Sequence, residues 1–129
     1  MDIVQALHAF IGWGVPAGFL WLSGWAVLAL IRNRDPHDRF WSLLGVLQAV
    51  IGVEFILGGI LFLSSRRPDT DGPTWLHYIY GAAFPAVVLA VAHARARKAP
   101  AGPWLIFGLA AFVCAFSTIR ALGTGYGWF

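Results

Sequence analysis

Charge is what this sequence has least of. Only 12% of its 129 residues are Asp, Glu, Lys or Arg, while 59% are hydrophobic. A soluble globular domain carries about 25% charged residues, so that class is excluded and an integral membrane protein is expected. There is one cysteine, Cys114, in the middle of an apolar run. An intramolecular disulfide and a cysteine-ligated metal cluster are therefore ruled out, and Cys114 reads as a small packing residue. The sequence also lacks His-Glu-x-x-His, Gly-x-Ser-x-Gly and any phosphate loop, which removes metalloprotease, serine-hydrolase and kinase chemistry. Its start, Met1-Asp2-Ile3, has no basic leader and no small-residue cleavage site follows, so the first apolar segment is expected to stay in the product. The net charge of +3 comes from short basic stretches beside apolar segments. These read as topology signals, and no nucleic-acid partner is expected.

What is present is hydrophobic length. Four segments, at roughly 4–31, 40–63, 75–94 and 103–123, each meet the ~20 apolar residues that a hydrocarbon core requires. Short connections make sequential helices antiparallel neighbours, so the expected architecture is all-α, a single up-down-up-down four-helix membrane bundle. The first loop holds Arg32, Arg34 and Arg39 and the third holds Arg95, Arg97 and Lys98, against Arg66 and Arg67 in the second. The positive-inside rule then puts the first and third loops in the cytoplasm and both termini outside, in a bacterial inner membrane. Pro16 and Pro85 fall inside spans, where each removes a backbone bond and is expected to kink its helix.

The informative residues are the polar ones that the bilayer has to tolerate, because ionisable groups at depth face the bundle interior or a cavity. They are His8, Gln48, Glu54, His77 and Arg120, with His37 and His93 towards the basic loops. His8 and His77 open the first and third spans, and Glu54 and Arg120 lie in the corresponding half of the second and fourth. Two histidines at equal depth on parallel helices are what an axial pair for haem b needs. Gly12 and Gly81 each follow their histidine by four residues, on the same helix face, where they leave space for a flat ring. Arg120, Arg66 and Arg67 would receive its carboxylates. Glu54 and Gln48 would carry protons or bond a quinone or a ligand histidine. The alternative for Glu54 and Arg120 is a buried ion pair that sets helix packing. His77 and His93 are 16 residues apart, about 160° around a helix. A second haem would need His93 with His37, and His93 is better placed as an interfacial anchor.

These motifs resemble a group of small four-helix bacterial membrane proteins. The likeness rests on Leu7-His8 followed by Trp13, on Leu47-Gln48-Ala49-Val50-Ile51-Gly52, and on His77 leading to Ala92-His93-Ala94-Arg95. The group's pattern usually has an arginine where this chain has Gly12; if that arginine binds an anion, either Arg120 takes it over or the site has lost it. In general style the chain is similar to compact b-type cytochromes such as the cytochrome b561 group, although no haem signature matches at that group's spacing. The resemblance implies the fold and topology first, and haem only through His8 and His77.

Three functional readings follow. The first is a small cytochrome passing electrons from membrane quinol to an external acceptor. The second is a non-enzymatic accessory subunit or assembly factor of a respiratory or photosynthetic complex, or a homo-oligomer, using exposed aromatics such as Trp21 and Trp25 as contact surface. The third is a copper or other metal-ion site at His8, His77 and Glu54.

Overall fold

The computed structural model describes residues 2–68, 70–99 and 102–128. The described residues form four long helices: α1 (Ile3–Ile31), α2 (Asp38–Leu63), α3 (Trp75–Ala96) and α4 (Pro103–Gly125). All four are long and apolar enough to cross a membrane, and the chain is a multi-pass, all-helical membrane bundle. The expected spans hold to within two residues at each end, with no strand among the described residues.

Local chemistry explains the ends. The Asp2 carboxylate accepts from the Val4 N–H and starts α1; the His37 ring accepts from the Arg39 N–H and starts α2. At the far ends, Asn33 (φ 52°) and Ser65 (φ 58°) take left-handed conformations. The next N–H groups, of Arg34 and Arg66, then reach back to the Ala29 and Leu61 carbonyls, which satisfies the last turns as a Schellman motif does.

One expectation needs correcting. Sequential helices are not all neighbours: α1 packs along α4 and α2, α3 packs along α4, and α2 meets α3 only around Ile79–Ala83. The bundle is tight at the end that carries the basic loops and loose at the end where the termini emerge. In α2 the buried residues are Phe40, Leu44 and Leu47, all in its first half, and in α3 they are Pro85, Leu89 and Ala92, all in its second. The solid half is closed by small residues. Gly108 of α4 lies directly against the Ala26 methyl of α1, with no room for a side chain, the close approach that membrane helices use in place of a hydrophobic driving force.

Pro85 does not break α3. Residues Ile79–Ala83 form a π turn, in which the Phe84 N–H bonds to the Ile79 carbonyl five residues back. In that register the N–H that Pro85 lacks would have reached the Tyr80 carbonyl. The Ser117 hydroxyl of α4 donates to it instead, at 2.6 Å, so the Tyr80 carbonyl is not left bare in lipid.

Candidate functional site

Because α2 and α3 barely meet, the termini half of the bundle holds a cavity of about 1100 Å³ with walls from all four helices and a rim at Arg66, Arg67 and Pro68. The volume is at the upper end of the range that small ligands occupy, about 300–1,000 Å³. Its walls are largely apolar; besides the rim arginines, its polar side chains include Gln5 and His8 of α1, Glu54 of α2, His77 and Tyr78 of α3, Thr118 of α4, and Tyr126 just past it.

The two imidazoles face each other. Their ring centroids are 6.1 Å apart and their planes cross at 80°. Each ring is held through Nδ1. His77 Nδ1 is 2.8 Å from the Ala121 carbonyl of α4; a carbonyl only accepts, so Nδ1 carries the proton and Nε2 keeps its lone pair. His8 Nδ1 is 2.7 Å from Glu54 Oε2. That contact is an ion-pair approach and not an aligned hydrogen bond, since His8 Nδ1 finds no partner of good hydrogen-bond geometry. Both rings line one cavity; that of His77 is oriented by the Ala121 carbonyl, and that of His8 lies beside the Glu54 carboxylate.

Two further buried polar atoms in the cavity wall lack a partner, Glu54 Oε1 and the Tyr78 hydroxyl. Buried polar groups are nearly always satisfied, so such atoms mark a place where water or a ligand group belongs.

Of the expected site residues, His8, His77 and Glu54 come together, and Gly12 and Gly81 also line the cavity. The two glycines do not sit against the histidines, however. A Cβ on Gly12 would meet Leu122 and Glu54, and one on Gly81 would meet the Ala121 methyl at 3.3 Å. The glycines against the rings are Gly58, whose Cβ would stand 3.6 Å from His8 Cε1, and Gly125, whose Cβ would stand 3.0 Å from His77 Cε1. Both come from helices other than the histidine's own, so counting four residues onward could not find them.

Gln48 and Arg120 are not part of the cavity wall. The Gln48 amide lies 2.8 Å from His93 Nε2 in the solid half, and the His93 ring packs on Phe107. His37 serves as the α2 cap. His93 and His37 thus both lie outside the histidine cavity. Arg120 lines a separate groove between α3 and α4, while the ion-pair contact of Glu54 is with His8. Among the described residues no three His, Cys, Asp or Glu side chains are grouped to hold a metal ion.

Outside the spans, Arg66 donates to the Asp2 carboxylate at 2.6 Å. This bond ties the start of α1 to the cavity rim, and the guanidinium holds the Asp2 carboxyl below its ordinary 3.8.

The fold and site thus define a multi-pass membrane bundle with a cavity walled by two opposed histidines. No family model and no solved structure matches the sequence. The sequence is similar to the Na(+)/H(+) antiporter NhaA of Albidiferax ferrireducens, at 28% identity over 130 aligned residues that cover 92% of this chain and 30% of the antiporter. The chain spans less than a third of that relative's length.

Proposed function

We propose that the cavity holds one haem b between His8 and His77, and that the protein is a small membrane cytochrome carrying single electrons from quinol in the bilayer to an acceptor beyond it. The observation that carries the reading is the pairing of the two rings. An imidazole nitrogen sits about 2.0 Å from a first-row metal and about 1.1 Å from its own ring centre, so two imidazoles on opposite sides of one metal have centroids roughly 6.2 Å apart. The rings here stand at 6.1 Å. His77 Nδ1 is bonded to the Ala121 carbonyl, the outer-shell pattern that orients ligating histidines, and a Glu54 oxygen stands 2.7 Å from His8 Nδ1. Haem, when bound, supplies one-electron chemistry. The chain's own residues would bind and orient it: His8 and His77 would ligate, the Ala121 carbonyl would hold the His77 ring, Glu54 would stand beside His8, and Arg66 and Arg67 at the rim would receive its carboxylates. By the distribution of lysine and arginine, the termini end faces outward from a bacterial inner membrane.

A reduced-minus-oxidised visible spectrum of the detergent-purified protein tests this. Sharp reduced α and β bands at one haem per chain are expected, and they should vanish in His77→Ala. A His77→Ala protein with full haem content would sink the assignment.

The similarity to a sodium/proton antiporter favours a second reading, cation or proton exchange. Here the Glu54–His8 contact would be the proton-carrying pair. Reconstituted vesicles with an internal pH dye separate the two, since sodium-driven pH change from a colourless protein supports exchange. The accessory-subunit reading draws on the bare second half of α2, where Phe55, Ile56 and Leu63 are exposed. Co-purification of partners from native membranes would support it.

A further inference from the structure

On the opposite side of α3 and α4 from the histidine cavity is a groove of about 310 Å³. Its walls are two rows of side chains at helical spacing. Arg120, Phe116 and Phe112 descend α4 four residues at a time, and Tyr80 and Phe84 do the same on α3. Residues at this spacing share one helix face, so the groove runs about 12 Å down the bundle at 1.5 Å per residue. Phe112 and Phe116 pack on each other with centroids 4.8 Å apart, and each is about half exposed. Ser117 also lines the groove, but its hydroxyl is committed to the Tyr80 carbonyl. The other polar side chains that line it are Arg120 and Tyr80.

We infer that this groove binds a phospholipid of the leaflet at the termini end, its phosphate on Arg120 and one acyl chain along Phe116, Phe112 and Phe84. Depth supports the placement: Arg120 is five residues before the end of α4, about 7.5 Å. That puts its long side chain within reach of the headgroup layer, which adds roughly 5–8 Å outside each face of a ~30 Å core. Charge selects the occupant, because a guanidinium at this depth is matched by a phosphate oxygen pair and poorly by a neutral headgroup. Arg120 already engages a neighbour. A guanidinium offers five donors in a planar fork, so one contact does not exhaust it. The site is independent of what the histidine cavity holds.

Native mass spectrometry of the full chain in detergent tests the inference, with dioleoyl phosphatidylglycerol, dioleoyl phosphatidylethanolamine and dioleoylglycerol added in turn. Both phospholipids should be retained and the phosphate-free diacylglycerol should not. Arg120→Gln should weaken retention about tenfold, the scale of a lost charge-assisted contact; Arg120→Lys should keep part of it, and Arg39→Gln at the opposite end should change nothing. Helicity by circular dichroism confirms that each variant is folded, and Phe116→Ala, which keeps the cation but removes a groove wall, gives a second reading. Equal retention of diacylglycerol would overturn the proposal. So would undiminished phospholipid binding in both Arg120→Gln and Phe116→Ala, or a quinone extracted from the groove in place of a phospholipid.

Discussion

Gly125 is the sharpest test of how His77 is held. Alanine there would place a methyl carbon 3.0 Å from Cε1 and 3.1 Å from Nδ1 of the ring, where unstrained carbon contacts need about 3.5–4.0 Å. The ring must therefore retreat from α4 by roughly half an ångström. The carbonyl that orients it, Ala121, is on the same helix one turn earlier, so the retreat lengthens a 2.8 Å contact to about 3.3 Å, beyond the range of a good N–H···O bond. Losing most of that bond is worth about 0.5–1.5 kcal/mol, or haem retention weaker by roughly 2- to 13-fold. Gly59→Ala is the matched control: Gly59 lines the same cavity, but a Cβ on it meets nothing within 4 Å. Haem transfer to an excess of a haem-scavenging protein, followed by loss of the Soret band, gives the retention ratio. If Gly125→Ala keeps haem as firmly as Gly59→Ala, the Nδ1 contact does not hold the ring and the argument fails.

Three other outcomes follow from the same geometry. Glu54→Gln replaces the carboxylate that stands 2.7 Å from His8 Nδ1 and should weaken haem binding about 10- to 100-fold, the usual cost of losing an outer-shell partner, measured by titrating haem into the apoprotein. Gly108→Ala inserts a methyl where α4 touches Ala26 of α1; separating two packed helices should cost about 1–3 kcal/mol, less up to ~1 kcal/mol gained in helix propensity, and appear as a lowered Tm in detergent. The Asp2–Arg66 tie should be acid-labile. The Asp2 carboxyl is held below 3.8 when folded, so its contribution is complete above that value and disappears as pH falls through the lower folded value. Exchange protection of the Arg66 and Arg67 amides, corrected for the intrinsic pH dependence of amide exchange, should then fall in acid for the natural chain and already be low at neutral pH in Asp2→Asn.

What could be read from the sequence was whatever depends on one helix at a time. Length and hydropathy placed the four spans because a backbone in lipid must satisfy its own hydrogen bonds, and 20 or so apolar residues in a helix are the one local way to do so. The placement of His8, Glu54 and His77 in one half of the bundle followed from topology and 1.5 Å per residue. Facing was another matter. Gln48 lies six residues before Glu54 on the same helix, yet it turns to His93, and Arg120 shares its helix with Ala121 but looks into a different groove. Hydropathy does not encode helix rotation in a bilayer, where every face is apolar; packing against neighbours sets it. The close contact at Gly108 and Ala26, the π turn that carries α3 past Pro85, and the separation of α2 from α3 were decided only when the four helices met. Those three features turned a row of polar residues at one depth into a cavity with two imidazoles facing across it.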